Sequence, residues 1–289
     1  MVGVLWASLI SDIVPAGVRG RYFGIRNTFL NALGSVMLFV GGKILDSNPE
    51  STGFMILFIL IWIFAIANIV TFFFYPDLPF ERSTENKILP MMKKPFHDKP
   101  FMKSTLFLAL WLLLQTLVVP LFSYVMLDIM HINYETISLL TIVQTISMMA
   151  SFYVWGNLNA RFSNKTLLFW TLPIIAGSCM VWGLLSVLPM LLVLLISHIL
   201  LGAGIGGFNQ LVFNFTIGDT PKSERPMFIA MYAAITGITS FLGPVIGGQI
   251  YSLIGELPLW VQQYGLQTIV GTVMLIVALT FGRRILRDS

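Results

Sequence analysis

Apolar residues run through this chain in stretches of more than about twenty, separated by short polar breaks. Eight such stretches lie at 21–44, 52–75, 101–127, 134–157, 166–188, 190–216, 226–253 and 264–286. At about 1.5 Å per residue, each can cross about 30 Å of hydrocarbon as an α-helix. None shows the period-two alternation of a barrel strand. The breaks carry turn chemistry: DSNPESTG (46–53), NARFSNK (159–165), VLP (187–189), DTPKSERP (219–226) and GELP (255–258). Ahead of them, residues 1–13 form an apolar run too short to span. The pattern predicts an all-α polytopic membrane protein with about eight full transmembrane helices and a partial first one.

Composition agrees with this reading. The 289 residues are 56% hydrophobic and only 10% charged, against about 25% charged in soluble domains. One cysteine, Cys179, lies in an apolar stretch, which leaves no disulfide framework and no thiolate metal site. The pI of about 9.2 raises nucleic acid as a partner, but membrane topology accounts for the basic residues. With the Arg19/Arg21/Arg26 loop in the cytoplasm, 16 of the 17 Lys and Arg residues fall inside and only Lys43 outside. The C-terminus is then cytoplasmic. The one long charged break, YPDLPFERSTENKILPMMKKPFHDKPFMK (75–103), divides the helices into two groups. The expected organisation is a first bundle remainder at 1–75, a cytoplasmic linker at 76–100 with a short interfacial helix around 88–92, and a six-helix bundle at 101–289.

The chain also matches itself at an offset of 206 residues. Pro15 falls on Pro221, Arg19 on Arg225, Tyr22 on Phe228, and Gly41-Gly42 on Gly247-Gly248. DIVPAGVRGRYFG and GDTPKSERPMFIA are thus one device: helix end, proline turn, arginine, helix start. Repeats of this kind in a polytopic chain point to a transporter built from related bundles. The same offset predicts about 106 further residues ahead of Met1, which would complete the first bundle. On that expectation this chain does not transport by itself.

Two loops resemble those of the major facilitator superfamily. Asp12, Pro15, Arg19, Gly20, Arg21 and Gly24 follow D-x-x-P-x-x-x-R-G-R-x-x-G, which is similar to that superfamily's helix 4–5 connection. GNLNARFSNKTLL (156–168) resembles a degenerate helix 8–9 loop, matching at Gly156, Leu158, Arg161, Lys165 and Leu168. Ala160 stands where the family has an aspartate that helps latch cytoplasmic helix ends, so the resemblance implies a weakened ionic latch. It also implies alternating access around a central cavity lined by helices 7, 8, 10 and 11, and coverage from the end of helix 4 through helix 12.

Polar residues inside spans are the candidates for function, because polar groups at membrane depth must find partners. Asp and Glu avoid the middles of all the spans. His198 is the one ionisable residue well inside a span; it is read either as a substrate or proton site or as a neutral, internally paired histidine. Gln115, Gln144, Asn209 and Gln210 are candidate cavity amides, with Trp111 and Tyr232 as possible aromatic walls. Gln210 and Asn214 share one helix face four residues apart. Gly202, Gly204, Gly206 and Gly207 form small-residue faces suited to close helix packing. Pro120 and the Gly243-Pro244 pair are candidate hinges, since proline removes a helical hydrogen bond. Pro221 and Arg225 complete the loop-motif set.

These observations predict a secondary or facilitative carrier of a small solute in the plasma (inner) membrane, with or without a coupling ion, and without cofactor or metal. Its partners are the bilayer, the solute, and the remaining first-bundle helices or a complementary chain. Two readings compete with it: a non-transporting remnant of a transporter gene, and an intramembrane transferase. The second would need clustered His, Asp or Glu at depth, which the sequence lacks.

Overall fold

A computed structural model of the chain describes residues 9–10, 13–48, 51–74, 88–218 and 223–286. Asp12 and Pro221 of the loop motifs lie outside the described residues. Among those described there is no strand, and the helices run in the order α1 (Ala16–Ser47), α2 (Ser51–Phe72), α3 (Ile88–His97), α4 (Lys99–Val118), α5 (Tyr134–Leu158), α6 (Asn164–Met180), α7 (Met190–Gly218), α8 (Arg225–Leu253) and α9 (Leu266–Val277). The polar breaks start these helices by capping them. Asp98, Asn133 and Ser163 each accept a hydrogen bond from the backbone N–H three residues on, at 3.0, 2.9 and 3.2 Å. Each such cap satisfies a donor that a helix start leaves open.

Short irregular turns extend several helices. Beyond α4, a 3₁₀ turn at Val119–Leu121 contains Pro120, and the chain continues as helix to Ile129. His131 then takes φ 54°, a left-handed turn that reverses the chain into α5. Counting these extensions, seven described helices are long and apolar enough to cross a membrane. They cover seven of the eight expected spans. The eighth, 21–44, lies within α1, a 32-residue helix long enough to span. A helix, α3, is present where a short one is expected around 88–92.

The main core lies among α4, α6, α7 and α9, where Leu108, Trp111, Leu172, Ile175, Trp182, Leu194 and Phe208 are buried. Glycines set how closely its neighbours approach. A Cβ on Gly202 would stand 2.2 Å from the Gln144 carbonyl oxygen, and one on Gly206 would stand 2.1 Å from Ser151 Oγ, so α5 and α7 meet nearly backbone to backbone. On the other side, Gly243 and Gly247 of α8 face Thr116 and Leu117 of α4 at similar range. Helix α1 packs across α5 and the end of α7, while α2 rests on α1 and is exposed along almost its whole length. The starts of α1, α6 and α8 therefore gather at one end of the bundle with the ends of α5 and α7. Arg19, Arg21, Arg161, Lys165 and Arg225 all belong to this arginine-bearing end.

Candidate functional site

A cavity of about 340 Å³ opens between α4, α7 and α8. Its wall is built from Leu112 of α4, Phe208, Asn209, Val212, Phe213 and Thr216 of α7, and Ile229, Tyr232 and Ala233 of α8. Two of the sequence candidates, Asn209 and Tyr232, are thus brought together. Asn209 sits about 13 Å inside the end of α7, judged from the helical rise. Its side chain is exposed to the cavity and makes no hydrogen bond among the described residues. The rest of this wall is apolar apart from the Thr216 and Tyr232 hydroxyls, and among the described residues no charged side chain lines it.

Toward the arginine-bearing end the cavity is floored by aromatic packing. Phe213 meets Phe23 of α1 edge to face, with ring centroids 4.9 Å apart. Phe23 is buried with Ile10 and Val14, and Ile13, Phe213 and Ile229 pack on that cluster. Floor and wall therefore share Phe213 and Ile229.

Of the other candidates, Trp111, Gln115, His198 and Gln210 have protein partners. Trp111 Nε1 donates to Gln115 Oε1 at 3.2 Å, and both side chains are buried in the core, away from this cavity. His198 is buried: its Nδ1 donates to the Leu194 carbonyl at 2.7 Å, and its ring lies 6.4 Å from that of Phe122. Beside it, Trp182 Nε1 donates to Ser197 Oγ, which donates to the Ser178 carbonyl. Gln144 is half-buried, and its backbone carbonyl faces Gly202. Gln210 turns away from the cavity and donates from Nε2 to the Gly20 carbonyl at 3.0 Å. Asn214, one turn on, donates to Asn159 Oδ1 at 3.0 Å.

The two loop motifs meet each other. A Cβ on Gly156 would stand 2.8 Å from the Gly20 carbonyl oxygen and 3.1 Å from Gly24 Cα, and one on Gly20 would stand 2.4 Å from Asn159 Oδ1. Pro15 precedes α1, Arg19 donates to the Val14 carbonyl at 3.4 Å, and Arg21 and Arg161 are exposed. Lys165 is half-buried and Arg225 buried. Of the hinge candidates, Pro120 interrupts its helix, whereas α8 runs unbroken through Pro244 and Gly243 packs against Thr116. Among the described residues no group of three or more His, Cys, Asp or Glu side chains gathers as metal ligands would.

A family model, that of the Major Facilitator Superfamily, matches residues 112–287, beginning within α4. The chain belongs to the major facilitator superfamily. It is therefore an integral, multi-pass membrane protein of a transporter family, and the non-enzymatic reading holds at that level. Among superfamily features, the cavity wall was only partly legible beforehand. Leu112, Phe208, Val212, Phe213, Ile229 and Ala233 were missed, because an apolar residue facing a cavity looks the same in sequence as one facing lipid. Asn159 and Gly24 lay within the quoted motifs, and their adjacency to Gly20 and Gly156 was the signal that the sequence carried.

Proposed function

We propose that the protein is a secondary or facilitative carrier of a small solute, working by alternating access, with the cavity between α4, α7 and α8 as part of its binding site. The observation that carries this reading is Asn209. An amide exposed on an apolar wall at membrane depth, with no hydrogen bond to a described residue, has an unmet need that a solute can fill. The uncharged wall suits the uncharged part of a solute, and Tyr232 offers a ring face and a hydroxyl. The arginine-bearing end faces the cytoplasm of a plasma membrane, and the C-terminus lies on that side. Residues 101–289 act as one bundle, 1–75 as part of the other, and 76–100 as the linker, with further first-bundle helices supplied by the same polypeptide or by a complementary chain.

Binding is testable without assuming transport. A panel of sugars, nucleosides, amino acids and lipophilic drugs is scanned for solutes that raise the melting temperature of the purified protein in detergent. Asn209→Leu removes the amide at similar volume. The expected result is loss of the solute-induced shift with no fall in the melting temperature of the solute-free protein. A solute whose stabilisation survives both Asn209→Leu and Tyr232→Ala binds elsewhere, and the assignment of this cavity then fails.

A further inference from the structure

We infer that Gln210, with the glycine seam of Gly20, Gly24 and Gly156, is a clasp that holds the arginine-bearing end shut and sets how often the cavity opens there. This rests on the carrier reading, because a clasp matters only if the helices part. Three helices meet at the clasp. Gly20 and Gly24 lie one turn apart on α1 and face Gly156 on α5 so closely that a Cβ on Gly24 would stand 2.5 Å from the Phe152 carbonyl oxygen. Gln210 of α7 enters the same junction: its Nε2 lies 3.1 Å from where a Gly156 Cβ would be and donates to the Gly20 carbonyl. Its side chain is 1% exposed, and its Oε1 is buried without a hydrogen-bond partner. One turn further in, the Thr28 hydroxyl is shared between the Gly24 carbonyl of its own helix, at 2.9 Å, and the Met149 carbonyl of α5, at 3.1 Å.

The packing is one-sided. On α1 beyond Thr28, Asn31 and Ser35 continue this face, the first half-buried and the second exposed, and a Cβ on Gly34 would meet nothing within 4 Å. Ser138 and Ile142, on the corresponding half of α5, are exposed too. The α1–α5 contact is thus concentrated between Gly20 and Thr28, next to the Phe23–Phe213 floor of the cavity. Parting α1 from α5 and α7 there breaks the Gln210 hydrogen bond, the Thr28 contact with Met149 and the glycine packing, and it lifts Phe23 off Phe213. The links among Gln210, Gly20, Gly24 and Gly156 involve no charge, so nothing has to be desolvated as a charge when the clasp recloses.

The test reads opening directly. Thr216→Cys places a thiol of similar size on the cavity wall near the floor, where the side chain is 4% exposed, and the native Cys179 is buried. Inside-out membrane vesicles carrying this variant are treated with a membrane-impermeant maleimide, and vesicles with Cys179 alone give the background. Adding Gln210→Leu, which deletes the hydrogen bond at similar volume, should raise the labelling rate about fivefold, the population shift that one buried hydrogen bond sets. Gly156→Leu should raise it further, and Gly34→Leu should leave it unchanged. Labelling that is the same with and without Gln210→Leu overturns the inference, as does an equal rise with Gly34→Leu. If Gly156→Leu does not fold, Gln210→Leu decides alone. Labelling needs no substrate, so a clasp that opens in a protein that binds no solute separates failure of the carrier reading from failure of this one.

Discussion

Gly247 and Gly248 are neighbours in sequence, yet alanine should act in opposite directions at the two positions. A Cβ on Gly247 would stand 2.1 Å from the Leu117 carbonyl oxygen and 2.8 Å from Leu121 Cδ1, whereas one on Gly248 would meet nothing within 4 Å. Ordinary non-bonded contacts are about 3.5 Å, so Gly247→Ala forces α8 away from α4 by about 1 Å. Overpacking of this kind costs about 1–3 kcal/mol. Both substitutions gain the same helix-propensity term, about 1 kcal/mol. Gly248→Ala should therefore stabilise the protein by about 1 kcal/mol, and Gly247→Ala should end up about 1–3 kcal/mol below it. At about 2–4 °C per kcal/mol for a unit of this size, the two melting temperatures should differ by roughly 2–12 °C. Cys179 supplies the assay, because it is the only cysteine in the sequence and is buried in the core. A fluorogenic maleimide reports its exposure as the protein in detergent is heated. If Gly247→Ala melts at or above Gly248→Ala, the close α4–α8 seam is wrong.

Other substitutions probe separate parts of the structure. Trp182→Phe removes the donor to Ser197 Oγ, whose own hydrogen goes to the Ser178 carbonyl; it should cost about 1–3 kcal/mol, with a double-mutant cycle against Ser197→Ala showing coupling rather than additivity. Glu224→Gln breaks the Lys94–Glu224 ion pair that ties α3 to the start of α8. Both partners are partly exposed, so the loss should be below about 1 kcal/mol in dilute buffer and should shrink in about 1 M salt; a loss unaffected by salt would argue for a role other than the ion pair.

How much could be read from the sequence depends on the kind of contact. Span positions were legible because apolar length is a property of the chain alone: 134–157 appears as Tyr134–Leu158, and 226–253 as Arg225–Leu253. The glycines of α7 were legible as packing faces, and the structure sets Gly202, Gly206 and Gly207 against α5. The fate of the amides was harder to read. Gln115 and Trp111 are four residues apart on one helix, so their pairing was within reach of spacing rules. Gln210 and Asn214 share a face as expected, but their partners, Gly20 and Asn159, lie 190 and 55 residues away, and no local rule selects them. Asn209, one residue before Gln210, points the other way into the cavity. Two adjacent amides of the same chemistry are separated only by the roughly 100° that each residue turns around the helix.

Helix α5 sits between two seams of unequal strength, which limits how the molecule can move. On its α7 side the contact is interlocked along the helix. Gly202, Gly206 and Gly207 meet Gln144, Ser151 and Trp155, while Ser147 Oγ donates to the Ile199 carbonyl at 2.7 Å and Trp155 Nε1 to the Ala203 carbonyl at 3.0 Å. Sliding α5 over α7 would break these hydrogen bonds together, in an apolar surrounding where each unpaired donor is costly. On its α1 side the close contact covers one end only, held by the Gln210 and Thr28 hydrogen bonds and by glycine packing. Any rocking of the proposed bundles should therefore carry α5 and α7 as one body and divide the structure between α1 and α5. Gln210 belongs to the α5–α7 body but reaches across the dividing line to a backbone carbonyl. A bond placed there resists opening without stiffening either side.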